Sequence, residues 1–371
     1  MPDHLQRWHR ARRVLAVRLD NLGDVLMTTP ALAALRQALP QAELTLLASP
    51  YGAHLQPHLA MVDRVIPHRA SWLKHDHPAT AVEEAALMQR LAAESFDAAV
   101  IFTVCTQSAL PAALMCRLAG IPLRLAHSRE NPYSLLSDWV PDPDVDIAHA
   151  RHEVRRQLDL VATVGFSTPD ERLRFALPEV DRETVASRLR HAGLPPGANW
   201  IVVHPGATAA SRRYPAERFG VAADAIGHDS GCTVIFTGDA SEQPLVAEAM
   251  RAMRGPALSF AGMLTLGELA ALIAGARLLV SNNSGPVHLA AALGTPVVDL
   301  YALTNPQHTP WKVPHRVLYQ DVPCRNCLKS VCPEVHHRCL LDVTPQAVAQ
   351  AALELLAEQD AHRRIVQVME A

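Results

Sequence analysis

The chain lacks the features that would mark a nucleic-acid binder, a membrane-spanning protein or a secreted scaffold. Its 34 Lys and Arg face 37 Asp and Glu, a net charge of −3 over 371 residues, so no bulk positive field draws it to nucleic acid. It has no apolar run of about 18 residues, the length that a membrane-crossing helix needs. The leading residues carry charge, but no apolar segment ending in a cleavage site follows, because Asp20, Asn21 and Asp24 interrupt it. No short-period repeat appears. The expectation is a cytoplasmic protein. Its length and 49% hydrophobic content suit two domains, each able to bury its own core. The basic segment Arg7 to Arg13 reads as a short, partly disordered solvated arm, which could also lie near anionic lipid.

Seven cysteines are present, and four cluster as Cys324-x2-Cys327-x4-Cys332-x6-Cys339, with His336 and His337 between the last two. In a cytosolic chain such a cluster suggests metal before disulfides. The spacing could serve tetrahedral zinc or an iron–sulfur cluster. A reduced loop that only packs is the preferred reading of loop 324–339, and no metal-binding residue is assigned. Cys105 and Cys116 lie in apolar surroundings and read as core.

Strands and helices alternate twice along the chain. In the first half, strands are expected at Val14–Leu19, Glu43–Ala48, Asp63–Ile66 and Phe96–Thr103. Helices are expected at Val25–Leu39, Ala81–Ala93, Pro111–Ala119 and Val154–Val164. Phe175 to Glu179 reads as a linker. The second half restarts with strands at Trp200–His204, Thr233–Phe236, Arg277–Ser281 and Pro296–Tyr301. Its helices are Arg182–Ala192, Arg218–Gly227, Leu245–Met253, Leu266–Ala274, Pro286–Leu293 and Pro345–Glu358. This alternation predicts α/β domains with parallel sheets. The expected domains are 1–178 and 179–371, two doubly wound, Rossmann-like units facing a central cleft.

The turns carry the chemistry. Val280-Ser281-Asn282-Asn283-Ser284-Gly285-Pro286-Val287-His288 reads as strand, polar turn and helix start, where free amides and the helix dipole can face an anion. It also reads as an ordinary capped βα turn. Two further strand-end turns, His204-Pro205-Gly206-Ala207 and Thr237-Gly238-Asp239, fall on the same side by topology. Arg212 and Arg213 follow the first and could clamp a diphosphate, or form a solvated basic loop. Glu242 follows the second and could accept hydrogen bonds from ribose hydroxyls, or simply cap a helix. In the first half, Asp24 opens a helix after a strand. The helix dipole should keep it ionised and ready to accept a proton, although an N-cap aspartate would look the same.

The run Arg18-Leu19-Asp20-Asn21-Leu22-Gly23-Asp24-Val25-Leu26-Met27-Thr28-Thr29-Pro30-Ala31-Leu32 resembles the opening motif of bacterial heptosyltransferases, glycosyltransferase family nine. HPGA, RRYP, TGD and NNSGPVHLAAALGTP match later motifs in the same order, and the resemblance spans Val14 to Leu355. The Cys-rich segment from Cys324 to Pro333 is similar to one in the second heptosyltransferase branch. The resemblance implies a GT-B fold whose C-terminal domain binds the donor and whose N-terminal domain binds the acceptor. It further implies inverting, metal-independent transfer of heptose from ADP-heptose to the lipopolysaccharide inner core.

The resemblance also implies roles for single residues. Asp24 matches the general base. Arg212 falls where a Lys contacts donor phosphate, Glu242 where a carboxylate binds ribose, and Leu264 where an apolar residue packs on adenine. Ser284, Gly285 and His288 match the phosphate-binding turn and its helix. Asn283 stands where an Asp lies close to the donor sugar. The arginine keeps the charge of the Lys with a different geometry, whereas Asn283 cannot carry the charge of the Asp, which leaves the identity of the sugar open. Asp142-Pro143-Asp144 has the letters of a metal-holding D-x-D pair but reads as an exposed loop. The expected partners are a nucleotide-sugar donor and a lipopolysaccharide or other glycan acceptor, with peripheral contact at the inner membrane. A nucleotide-sugar epimerase of the same architecture, or a donor with another base, is the alternative.

Overall fold

The computed structural model describes residues 3–74, 77–144, 146 and 149–370. The chain divides into two compact units, Met1–Ala176 and Leu177–Ala371.

The first unit carries β1 (Arg13–Arg18), β2 (Glu43–Ala48), β3 (Arg64–Pro67), β4 (Ala98–Ile101), β5 (Leu123–Ser128) and β6 (Asp138–Pro141). They pair in the order β3-β2-β1-β4-β5-β6, and every pairing is parallel. The order reverses between β1 and β4, the switch point at which such sheets place ligands beyond their carboxyl ends. The helix Leu22–Ala38 leaves β1 there and buries nearly all of its length. Pro30 inside it has no N–H for the Leu26 carbonyl, and the Thr29 hydroxyl donates to that carbonyl instead, at 2.6 Å. The Arg174 N–H in turn donates to Thr29 Oγ1 at 2.9 Å, which fixes the end of the unit against this helix.

The second unit repeats the plan with β7 (Trp200–His204), β8 (Thr233–Phe236), β9 (Ala257–Ser259), β10 (Leu278–Asn282), β11 (Val297–Leu300) and β12 (His315–Leu318). Their order is β12-β11-β10-β7-β8-β9, again all parallel, with the switch point between β7 and β10. Ile201, Val203, Phe219, Val234, Phe236 and Val280 fill the core on one face of this sheet. The last helix, Pro345–Glu370, runs past the Glu358 end expected from sequence, and the helix after Pro178 begins at Glu179 rather than Arg182.

Two expectations fail. The basic segment is not a disordered arm: Asp3–His9 is helical, and Trp8 is fully buried, edge-on to Phe166 at 6.4 Å. Asp142 and Asp144 do not form an exposed loop. Both are buried, with Arg156 Nη1 at 2.5 Å from Asp142 and 3.1 Å from Asp144, and Arg151 Nη2 at 2.9 Å from Asp144. Arg129 Nε adds a third contact, 3.5 Å from Asp142, so three arginines neutralise the pair, which therefore works as an ionic tie. Cys105 and Cys116 are buried as core. Among the described residues no helix is long and apolar enough to cross a membrane.

Candidate functional site

In the first unit, Asp24 is the third residue of the helix Leu22–Ala38, and Asn21 is its N-cap. The Asn21 N–H donates to Asp24 Oδ2 at 3.2 Å, so the carboxyl is turned back over the helix start. Asp24 Oδ1 lies 3.3 Å from Arg18 Nη2 at the end of β1. Arg18 is fully buried and also meets Asp20 at 2.9 Å and Glu153 at 2.8 Å. Glu153, itself fully buried, takes a further hydrogen bond from Gln157 Nε2 at 2.6 Å. Burial alone would lower the pKa of Arg18, but the three carboxylates prevail and raise it. For Asp24 the balance runs the other way. Burial raises its pKa, Arg18 lowers it, and Asp20 and Glu153 raise it again, to about 7. This corrects the expectation of a fully ionised aspartate: burial outweighs the pull of the Arg18 cation and of the Asn21 N–H.

In the second unit, Asn282 joins the turns. It ends β10 fully buried, donates from Nδ2 to the Pro205 carbonyl at 2.7 Å and accepts the Tyr214 N–H at 2.9 Å. One side chain therefore holds the Gly206 turn and the Arg212–Tyr214 segment against the Ser284–Gly285 turn. Sequence reasoning passed over it, because its partners lie 77 and 68 positions away. Ser211 adds a second tie, donating from its N–H to the Ser330 carbonyl at 3.0 Å and from its hydroxyl to the Lys329 carbonyl at 2.7 Å. The Cys-rich loop thus braces this turn.

The two arginines separate. Arg213 is exposed and donates from Nε to the Ala207 carbonyl at 2.6 Å, bracing its own turn. Arg212 is half-buried, close enough for its charge to act on the Tyr301 phenol, and its guanidinium has no partner among the described residues. Burial raises Tyr301 and outweighs that charge.

Glu242 completes a reciprocal cap. Asp239 Oδ1 accepts the Glu242 N–H at 3.0 Å, while Glu242 Oε2 accepts the Asp239 N–H at 2.9 Å. Its other oxygen lies against Gly206, where a Cβ would stand 2.0 Å from Oε1. His204 Nε2 is 3.7 Å from Glu242, and burial lowers the His204 pKa although Glu242 and Asp239 pull it up. Leu264 is half-buried just before the helix Leu266–Gly275. Ser284 is the N-cap of the helix Gly285–Leu293, with its hydroxyl donating to the Asn282 carbonyl at 3.2 Å. His288 is buried one turn into that helix, edge-on to His308 at 6.4 Å. The Asn283 amide faces inward, donating to Asp299 Oδ2 and to the His308 carbonyl, both at 2.9 Å.

The four clustered cysteines are reduced and half-buried. Cys324 Sγ lies 3.8 Å from His336 Nε2, and Cys339 is raised by burial, with Cys332, Cys324 and Cys327 near enough to add to the shift. Among the described residues no three His, Cys, Asp or Glu side chains converge as a metal site.

Two doubly wound sheets, one with a tunable carboxyl at its leading turn and one with a glycine-lined, cationic set of turns, define an α/β protein of the nucleotide-dependent glycosyltransferase class. The chain belongs to glycosyltransferase family 9 (heptosyltransferase), whose family model matches residues 84–337. It is 29% identical over 341 residues to lipopolysaccharide heptosyltransferase 1 of Pseudomonas aeruginosa, covering 89% of this chain and 91% of that one. The fold is similar to that of a glycosyl transferase family 9 protein from Veillonella parvula, with a TM-score of 0.77 at 22% identity over 94% of this chain and 97% of that one. It is also similar to an Escherichia coli heptosyltransferase solved with ADP-2-deoxy-2-fluoro heptose, with a TM-score of 0.62 at 24% identity over 92% and 99%.

Proposed function

We propose that the protein is an inverting heptosyltransferase that moves heptose from an ADP-heptose donor to a hydroxyl of a lipopolysaccharide core. The observation that carries this reading is the Asn282 clamp, which ties the Gly206 turn and the Arg212–Tyr214 segment to the start of the helix Gly285–Leu293, with the Arg212 guanidinium unpartnered among the described residues. The relatives, a lipopolysaccharide heptosyltransferase 1 and a heptosyltransferase solved with ADP-2-deoxy-2-fluoro heptose, support the donor and acceptor classes.

In this reading the acceptor oxygen attacks the anomeric carbon, and its proton passes to the Asp24 carboxylate. The bond from that carbon to the diphosphate breaks, and ADP leaves with the electron pair. A base with a pKa near the working pH is well matched to this step. Arg212 and the amides of Ser284 and Gly285 stabilise the charge growing on ADP. Glu242 Oε1 takes ribose hydroxyls, Leu264 packs on the base, and Arg213 and His288 hold the turn and its helix. Cations and amides carry the leaving-group charge, so the step needs no divalent ion. The protein works in the cytoplasm, against the inner face of the membrane that presents its acceptor.

A thermal-shift screen across ADP-, UDP- and GDP-sugars tests the donor, because a ligand that binds only the native state raises apparent stability. ADP-heptose should give the largest rise. A larger rise with a UDP- or GDP-sugar would replace the donor assignment.

A further inference from the structure

Behind the donor turn lies a carboxyl to which neither the motif nor the proposed chemistry gives a task. Asp299 sits on β11, in register with Ser281 of β10, and its side chain is fully buried. Its Oδ2 takes the Asn283 amide at 2.9 Å, and its Oδ1 has no hydrogen-bond partner among the described residues. The second amide hydrogen of Asn283 goes to the His308 carbonyl. A backbone carbonyl can only accept, so this contact fixes which end of the amide is NH2. Both hydrogens are therefore taken on one side, and the carbonyl oxygen Oδ1 must face the other. No described residue bonds to it.

A carboxylate at position 283 would not fit this socket, because it would put an acceptor oxygen where the amide nitrogen now donates and leave it facing the His308 carbonyl with no hydrogen between them. Burial raises the Asp299 pKa to about 8, with the Asn283 hydrogen bond opposing. Asp299 is thus largely neutral at pH 7, and in either state it keeps an oxygen to accept from the amide. Tyr301 just past the end of the strand, His308 on the following loop and His288 on the helix are further titratable groups near the pair.

We propose that Asp299 is a specificity-determining positioning residue: with the His308 carbonyl it claims both hydrogens of the Asn283 amide and so turns the Asn283 carbonyl oxygen, a neutral acceptor, toward a hydroxyl of the donor sugar. The inference rests on the donor-site reading above. It fits a neutral, hydroxylated sugar. A sugar carboxylate would meet a second acceptor there, and an amino sugar would find no charge to pair with.

Calorimetric titration of the full chain with ADP and with ADP-heptose tests the proposal, read as the ratio of the two affinities. Asp299→Ala should lower that ratio about tenfold, the worth of one well-placed hydrogen bond, and leave ADP affinity within about twofold. Asp299→Asn keeps an acceptor oxygen beside the amide and should hold the ratio within about threefold of wild type. In an Asn283→Ala background, Asp299→Ala should change the ratio no further. An unchanged ratio in Asp299→Ala would overturn the proposal. So would parallel loss of ADP and ADP-heptose affinity, the mark of a residue that merely packs the strand. Should Asp299→Ala not fold, Asn283→Asp decides: it should lose the ratio, and keeping it would refute the socket. Wild type that binds ADP but not ADP-heptose would defeat the donor reading and this inference together. Wild-type selectivity that survives Asp299→Ala would defeat only the inference.

Discussion

Arg18 and Glu153 meet at 2.8 Å with neither side chain exposed, and Asp24 lies 3.3 Å from the same guanidinium. Burial is the main cause of the raised pKa of Asp24, and this solvent-free pair tunes it, Arg18 lowering it and Glu153 raising it. Below about 7 the Asp24 carboxyl is largely protonated and cannot take the acceptor proton. The kcat/KM profile should therefore rise with pH to a midpoint near 7 and level off above it. The charge of Glu153 helps to raise Asp24, so Glu153→Gln should move the midpoint to lower pH. A flat profile, or a midpoint unmoved in that variant, would count against this coupling.

Asp24→Asn should reduce turnover by roughly 10²–10⁴ and leave ADP affinity unchanged. It should also stabilise the fold at alkaline pH. The pKa of folded Asp24 stands above its unfolded value, so its contribution to stability is fully present below the unfolded pKa and is lost as pH rises through about 7. Paired melting curves at pH 6 and pH 9 would show the wild type losing more than the variant. Equal losses would argue that Asp24 is not held protonated by the fold.

Arg212→Ala should weaken ADP binding by about tenfold or more, because a hydrogen bond to a charged group outweighs a neutral one. Arg212→Lys should keep part of that affinity through its charge. Arg213→Ala should act through the turn it braces, with a smaller effect on nucleotide and a measurable drop in Tm. If the alanine at 213 proves the costlier for ADP, the two roles are reversed.

Gly206→Ala should impair donor binding without touching the donor itself. Its Cβ would stand 2.0 Å from Glu242 Oε1, so the carboxylate must leave its place over the turn. A titration showing unchanged ADP affinity would mean that Glu242 has no part in binding.

The legible parts of the fold were those with local causes. Val14 to Leu19, Trp200 to His204 and Leu278 to Ser281 are near-continuous apolar runs, as strands of a buried parallel sheet must be. β5 (LRLAHS), β6 (DWVP), β9 (ALS) and β12 (HRVL) went unread, because charged residues interrupt them or their length gives no period. Asp24, Arg212 and Glu242 were visible because they stand beside glycine or strand-end turns. Asn282 and Asp299 were not, since what they do depends on partners that only the folded sheet supplies. The same holds for Trp8, whose cover comes from Phe166, and for Asp142 and Asp144, neutralised by Arg129, Arg151 and Arg156.

The most direct test of the central claim is transfer itself: the purified protein incubated with radiolabelled ADP-heptose, with and without a lipid A–core acceptor lacking the heptose. Label appearing in the acceptor with release of ADP, and lost in Asp24→Asn, is the predicted result. Free sugar altered without transfer, or label bound but never turned over by the wild type, would contradict the assignment.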